Sequence, residues 1–258
     1  MKMTAFITGA TVNTGYGIAE KFLSEGWDVI LTSRKETSAN EARNKLAAKY
    51  PDANVISYAL SIVNEDNSIN EQRVDEIFYD LDSKGVTVNC LVLNAANLGI
   101  RQQIFNNPLS DFQNVINTNV VGNYVLCERF ALRVREIGGS IVFVNSNTAY
   151  RAIPDRIAYS TSKAAQLGMM RAMALDLGKY NIRVNAVLPG MIKTDRWESN
   201  YNDCKNAPSN YTPLRDIAEF SDIADAVWYF AAHARNTTGA ELVVDGGNMI
   251  QLYPIIDK

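Results

Sequence analysis

Short runs of β-branched and other apolar residues alternate with longer stretches of helical periodicity from one end of the chain to the other. The runs predict strands at 3–8, 28–33, 54–60, 90–94, 140–145, 182–188 and 241–245. Several are apolar at consecutive positions, the pattern of strands covered on both faces of a parallel sheet. Between them the periodicity predicts helices near 15–25, 38–49, 66–84, 109–136, 158–179 and 221–234. Seven strands joined by helical crossovers read as a doubly wound α/β fold, a seven-stranded parallel sheet with helices on both faces. No Pro/Gly/Ser-rich linker or composition break interrupts the alternation, so residues 1–258 read as one domain. The one long irregular stretch, 191–220, exceeds most connections in compact domains and reads as a lid.

Composition narrows the chemistry. The chain is 47% hydrophobic and 21% charged with a net charge of −3, an ordinary globular balance. Lys and Arg form no stripe, so nucleic acid is not an expected partner. No apolar run approaches the length of a membrane span. Met1-Lys2-Met3 leads straight into Ala5-Phe6-Ile7-Thr8-Gly9, too short an apolar run for a signal peptide, and a cytoplasmic protein is expected. Cys90, Cys127 and Cys204 are widely separated and read as reduced packing residues. The one histidine, His233, lies in an Ala-rich helix and reads as a surface residue near its C-terminus. One histidine excludes a multi-histidine zinc site and a hydrolase resting on several histidines. No metal is expected, and the chemistry must run on Tyr, Lys, Ser, Asn or a cofactor.

Ser146, Tyr159 and Lys163 supply a candidate. Tyr159 and Lys163, four apart on a predicted helix, stand one turn above the other on the same face. An ammonium beside a phenol favours the phenolate. Bringing a tyrosine from its usual value near 10 to about 7 needs roughly 4 kcal/mol of differential stabilisation. Tyr159 would then be a general acid/base near neutral pH, with the Ser146 hydroxyl holding a carbonyl or alcohol oxygen. The chain holds a second pair of this spacing, Tyr201 and Lys205, in a polar stretch without periodicity and with Leu188 thirteen residues before it. That second pair reads as chance.

The first strand–turn–helix is Thr8-Gly9-Ala10-Thr11-Val12-Asn13-Thr14-Gly15-Tyr16-Gly17-Ile18-Ala19. Glycines at a strand end allow a sharp turn and a close backbone approach to a pyrophosphate. The helix opening near Gly15–Gly17 aims unpaired amides and its positive dipole end at the phosphates. Gly9, Thr14, Gly15, Tyr16 and Gly17 are therefore candidate dinucleotide-binding residues. The second strand ends Leu31-Thr32-Ser33-Arg34-Lys35, without the acidic residue that would bind a ribose 2′-hydroxyl. Ser33, Arg34 and Lys35 instead suit a 2′-phosphate, favouring NADP(H) over NAD(H); the other reading of the basic pair is a solvated helix opening.

With these residues the chain resembles the short-chain dehydrogenase/reductase family over nearly its whole length. The glycine turn resembles that family's cofactor loop, and Asn94-Ala95-Ala96 resembles its Asn-Ala-Gly segment, which supports the sheet and the nicotinamide side. Asn119 matches the asparagine that holds a water in the proton relay to the lysine. Ser146, Tyr159 and Lys163 match the catalytic serine, tyrosine and lysine. Pro189-Gly190, with Ile192 and Thr194 after it, resembles the nicotinamide-contacting turn, and Val244-Asp245-Gly246-Gly247 the final strand. The resemblance implies a Rossmann-type sheet and hydride transfer between a nicotinamide and a carbonyl or alcohol carbon. In it Tyr159 would protonate the oxygen, Ser146 would hydrogen-bond it, Lys163 would lower the tyrosine pKa and grip the nicotinamide ribose, and Asn119 would complete the relay. It also implies a homotetramer, with the helices at 109–136 and 158–179 and the tail after Gly247 at interfaces.

There are departures. Five residues rather than three separate Gly9 from Gly15. The longer loop resembles the enoyl-reductase branch, but that branch spaces its Tyr and Lys by six residues and this chain by three, which argues against double-bond reduction. Ser61 stands where the family often carries an Asp against the adenine, and Ala96 replaces a glycine. Near the expected carbonyl pocket lie Asn97, Asn147, Thr148, Ile153, Met191 and the lid with Lys193, Asp195, Arg196, Trp197, Tyr201 and Tyr211, while Arg151 and Arg156 flank the tyrosine. Asn97, Asn147, Thr148, Met191 and Trp197 are the candidate substrate residues. Much of this is polar, which points to a small polar carbonyl, a polyol, a keto-sugar or a keto acid; a solvated lid surface would look the same. A 3-oxoacyl-carrier-protein reductase or hydroxysteroid reductase remains the alternative within the family. A non-catalytic NADP(H)-binding regulator is the alternative outside it.

Overall fold

In the computed structural model, which describes residues 2–194 and 206–255, each expected strand forms within about a residue of its expected bounds. They are β1 (Thr4–Ile7), β2 (Asp28–Ser33), β3 (Val55–Ala59), β4 (Cys90–Leu93), β5 (Gly139–Val144), β6 (Ile182–Pro189) and β7 (Glu241–Val244). All pair in parallel, in the order β3-β2-β1-β4-β5-β6-β7. Alternation along each strand divides the apolar residues between two cores. Ala5 and Ile7 enter one, Phe6 the other.

The first core is closed by α1 (Asn13–Ser24), α2 (Glu36–Lys49) and α7 (Phe220–Trp228) through Ile18, Phe22, Leu46 and Val227. The second is closed by α3 (Glu71–Ser83), α5 (Gly122–Val134) and α6 (Ile157–Leu177) through Phe78, Phe130, Leu167 and Met170. The fold is thus the expected doubly wound α/β sheet with helices on both faces. Phe22 is the keystone of the α1–α7 contact, its ring 5.4 Å from Trp27 and 5.2 Å from Trp228, both edge-on. His233 is exposed and its ring packs edge-on against Trp228 at 5.9 Å.

The helices depart from expectation in instructive ways. The helix expected to begin near 66 begins at Glu71, because the Asn70 side chain accepts from Arg73 N at 3.3 Å and caps it there. The preceding residues are held instead by an antiparallel bridge of Val63 with Ile69. The helix expected over 109–136 is two: α4 (Leu109–Ile116) and α5, joined by a π-helical turn over Asn117–Val121. A second π turn, Tyr229–His233, closes α7. Such turns release main-chain carbonyls from the regular ladder. Among the described residues no helix is long and apolar enough to cross a membrane.

Strand order reverses direction between β1 and β4. β1 leads outward to β2 and β3, and β4 leads outward the other way. The loops leaving the two strands diverge and open a crevice at their C-terminal ends, where ligands of such sheets bind. Replacing Phe22 by Ala should lower unfolding free energy by about 3–5 kcal/mol in a denaturant titration; a loss under about 1 kcal/mol would mean that α1 and α7 are held together otherwise.

Candidate active site

The crevice is built by a clasp between the two diverging loops. The Thr8 hydroxyl accepts from the amides of Asn94 (2.9 Å) and Ala95 (3.0 Å), while the Asn94 side-chain amide donates to the carbonyls of Thr8 and Gly9, both at 3.0 Å. From β2, Thr32 Oγ1 accepts from Gly9 N at 3.3 Å. Gly9 lies at φ +64°, where a side chain is strained, and a Cβ on Gly15 would stand 2.3 Å from the Gly9 carbonyl oxygen. The glycines are therefore set by the clasp itself. Asn94 has its amide in this clasp, the sheet-supporting part of its expected role.

Helix α1 opens directly beyond. Its N-cap, Val12, offers no side-chain acceptor, and its first turn carries no acidic residue. The first-turn amides of α1 thus face the crevice without a local capping group. Ser33 ends β2 beside this loop. Arg34 follows it, exposed and with no protein partner among the described residues. Backbone amides, hydroxyls and a free guanidinium form a donor set suited to the phosphates of a dinucleotide. On the other side Pro189 ends β6, and Gly190 N donates to Val244 O at 3.0 Å. Ile192 pairs with Ala218 in an isolated bridge, placing Met191, Ile192 and Thr194 at the same end of the sheet. Ser61 is exposed and its hydroxyl donates to Val63 O, shaping the turn after β3.

The reacting groups converge between β5 and α6. Ser146, just past β5, caps the 3₁₀ turn Asn147–Ala149 by accepting from Thr148 N at 3.2 Å. Its hydroxyl lies close enough to the Tyr159 phenol to favour the ionised form. One turn along α6, Lys163 Nζ lies 5.6 Å from the centre of the Tyr159 ring and donates to Val144 O at 3.0 Å. Asn119, fully buried in the π turn, donates to Ser162 Oγ at 2.9 Å and Asn97 O at 2.8 Å, and accepts from Asn97 N at 2.7 Å. Ser162 in turn donates to Tyr159 O at 2.7 Å. The four expected catalytic residues therefore meet in one hydrogen-bonded block.

Electrostatics corrects the expected charge relation. The Tyr159 phenol is held above its ordinary value, burial being the largest cause, while the nearby Ser146 hydroxyl and the charge of Arg156 act the other way. Burial pushes the Lys163 ammonium down to about 7. The group whose pKa lies near neutral pH is the lysine, not the tyrosine, because burial disfavours both charged forms and no carboxylate among the described residues holds the ammonium. The positive charge acting on the phenol comes from Arg156, which also anchors the 98–99 loop through the carbonyls of Leu98 (3.0 Å) and Gly99 (2.8 Å).

Two candidate substrate residues are engaged inside the protein, Asn97 through both ends of its carboxamide and Asn147 through its side-chain nitrogen. Asn97 donates to Asn114 Oδ1 at 2.6 Å and accepts from Gly99 N at 2.9 Å, holding its own loop. Asn147 donates to Asn248 Oδ1 at 2.9 Å and Asp245 Oδ2 at 3.3 Å, tying the serine turn to the C-terminal tail. Thr148 differs: its hydroxyl is buried and has no hydrogen-bond partner among the described residues. Trp197, with Asp195, Arg196, Tyr201, Lys205 and Cys204, lies outside the described residues. Sequence reasoning missed Gln166, buried beside Lys163, and gave no role to Asn145, which binds both Gln166 and the Lys163 carbonyl. A glutamine three residues after the lysine, on its face of the helix, was the available signal.

A buried ammonium weakens the fold that holds it. The folded-state value of Lys163 lies below the 10.5 of an ordinary lysine. Between about 7 and 10.5 the unfolded chain therefore binds more protons, and stability rises with pH across that window. Lys163→Met should raise unfolding free energy at pH 7 by about 2 kcal/mol net of the lost bond to Val144, with the gain shrinking toward pH 10. Denaturant titrations at the two pH values check this; a variant destabilised equally at both contradicts it.

The geometry can be set beside known proteins. A family model described as enoyl-(acyl carrier protein) reductase matches residues 9–248. The 3-oxoacyl-[acyl-carrier-protein] reductase FabG of Buchnera aphidicola is 31% identical, over 95% of this chain and 97% of that protein. Among solved structures, ElxO with NADP bound superposes with a TM-score of 0.86 at 26% identity, covering 97% of this chain and all of the other. Acetoin dehydrogenase YohF of Salmonella typhimurium gives 0.82 at 25%, covering 97% and 98%. Matches running through almost the whole chain, on a crevice that suits a dinucleotide, place this protein in the short-chain dehydrogenase/reductase family of NAD(P)-dependent oxidoreductases.

Proposed function

We propose that the protein is an NADP(H)-dependent oxidoreductase that interconverts a ketone and a secondary alcohol, acting on a small polar carbonyl, a keto-sugar or a polyol. The observation that carries this is the convergence of the Ser146 hydroxyl, the Tyr159 phenol and the Lys163 nitrogen beside the glycine turn. The first-turn amides of α1 with Thr14, Gly15, Tyr16 and Gly17 would hold the dinucleotide phosphates, Ser33 and Arg34 the 2′-phosphate, and Pro189, Gly190, Ile192 and Thr194 the nicotinamide side. When bound, that group supplies or accepts the hydride.

The chain's own residues manage the oxygen and its proton. Ser146 holds the substrate oxygen in hydrogen-bond reach of Tyr159. In the reducing direction the phenol gives its proton to that oxygen; in the oxidising direction it takes one back. A phenol held above its ordinary value keeps its proton at neutral pH until the substrate oxygen takes it, and Lys163, changing charge near 7, sits against its ring. Asn119, through Ser162, fixes the turn of α6 on which Tyr159 sits.

The polar-substrate reading is supported by the unpartnered Thr148 hydroxyl, two residues from Ser146, and by the Arg156 charge at the tyrosine. The acetoin dehydrogenase neighbour fits it. The FabG relative favours a second reading, reduction of a 3-oxoacyl group on a carrier protein. Double-bond reduction, the description attached to the matched family model, fits less well with a three-residue interval between Tyr159 and Lys163. Exposed Phe105, Leu109 and Leu132, together with Leu175 on α6 and Leu252 in the tail, support assembly as a homotetramer. Buried, free Cys90 and Cys127 fit a cytoplasmic setting.

Tyr159→Phe separates an enzyme from a protein that only binds the dinucleotide. Against a panel of polar ketones with NADPH, turnover should fall by about 10²-fold or more while the NADPH dissociation constant changes less than about twofold. Unchanged turnover would remove Tyr159 from the chemistry and bring the binding-only role forward.

A further inference from the structure

Gln166 lies on the same face of α6 as Lys163 and is 1% exposed. Its carboxamide is fixed at both ends. Oε1 accepts from Asn145 Nδ2 at 3.0 Å and from Lys163 Nζ at 3.3 Å, and Nε2 donates to Asn119 O at 2.7 Å. The reversed amide would set donors against two donors and an acceptor against a carbonyl, so the network dictates its orientation. The Asn119 carbonyl, within the π turn, also accepts from Asn123 Nδ2 at 2.8 Å. The Asn119 carbonyl is thus engaged by two side chains of this protein.

We propose that Gln166 is a positioning residue of the proton-transfer site, a fixed bridge that holds the Lys163 nitrogen to the Asn119 carbonyl and so sets the lysine against Tyr159. The inference rests on the catalytic reading above. A carboxamide oxygen accepts a hydrogen bond while staying neutral. It steers Nζ without the negative charge that would keep the ammonium permanently protonated. The groups facing Lys163 are consistent with that choice: Tyr159 on its own helix, the Val144 carbonyl and Asn145 carboxamide from β5 and the loop after it, and, through Gln166, the Asn119 carbonyl from the π turn. None of these is a carboxylate. The amide nitrogen of Gln166 has no basic lone pair, so the bridge positions the lysine and does not pass its proton on to Asn119.

The test replaces the neutral acceptor by a charged one of the same size. Protein labelled with ¹³C at lysine Cε is titrated by NMR, with the Lys163 signal assigned from its loss in Lys163→Met. Gln166→Glu should raise the Lys163 midpoint by about one pH unit or more, a tenfold change in proton affinity. The corresponding limb of the kcat/KM profile should move with it. Gln166→Leu should lower kcat by about tenfold or more with KM for the carbonyl changed less than about threefold. A Lys163 midpoint unmoved in folded Gln166→Glu overturns the proposal, whatever the effect on activity. If no carbonyl is reduced at all, the catalytic reading fails while the NMR midpoint still decides whether Gln166 controls the lysine.

Discussion

The clasp between Thr8 and Asn94 is the constraint on which the site depends. β1 and β4 are neighbours in the sheet but lead the chain in opposite directions, so their loops would part if nothing tied them. Four hydrogen bonds between the two loop starts, all 3.0 Å or shorter, hold the crevice at a fixed width. They also dictate local sequence. Gly9 must turn at positive φ, and Gly15 must let α1 start against the Gly9 carbonyl and the Asn94 amide. The uncapped amides of α1 are aimed as a consequence of that close approach. A crevice held from the sheet, rather than by flexible loops, is what a reaction sensitive to fractions of an ångström requires.

The second constraint is a polar block buried in an otherwise apolar layer. Asn119, Asn123, Asn145, Ser162, Lys163 and Gln166 are all 4% exposed or less. Burying so many polar groups is tolerable because nearly every one is bonded to another. The Asn119 carbonyl in the π turn takes part by accepting from Gln166 and Asn123. Lys163 is the member least at ease, its ammonium pushed down to about 7 by burial alone. A group that changes charge near neutrality, next to a phenol that keeps its proton there, is a division of labour between charge and proton that a solvated pair could not offer.

Much of this was legible in the sequence. Strand positions could be read because apolar runs between helices permit few alternatives in an α/β chain, and Ser146, Tyr159 and Lys163 because their spacing follows helix geometry. The π turn at Asn117–Val121 was not legible, since apolar residues continue through it with helical spacing. Asn70 carried a readable capping signal, but the polar stretch before it resembled a helix opening as well. Asn97 and Asn147 looked available to a substrate because their partners, Asn114 and the tail residues Asp245 and Asn248, are distant in sequence. The direction of the Tyr159 shift was beyond spacing altogether. It depends on how deeply phenol and ammonium are buried, and burial is a property of the fold.

The claim that joins fold to function is that the β2 end, with Ser33 and an Arg34 that has no partner among the described residues, selects a dinucleotide bearing a 2′-phosphate. Titrating the purified protein with NADPH and NADH, and comparing the dissociation constants, tests it without any knowledge of the substrate. The account expects NADPH to bind about tenfold more tightly or better, about 1.4 kcal/mol. NADH binding equally well or more tightly would contradict the cofactor assignment, and binding of neither would contradict the account of the crevice.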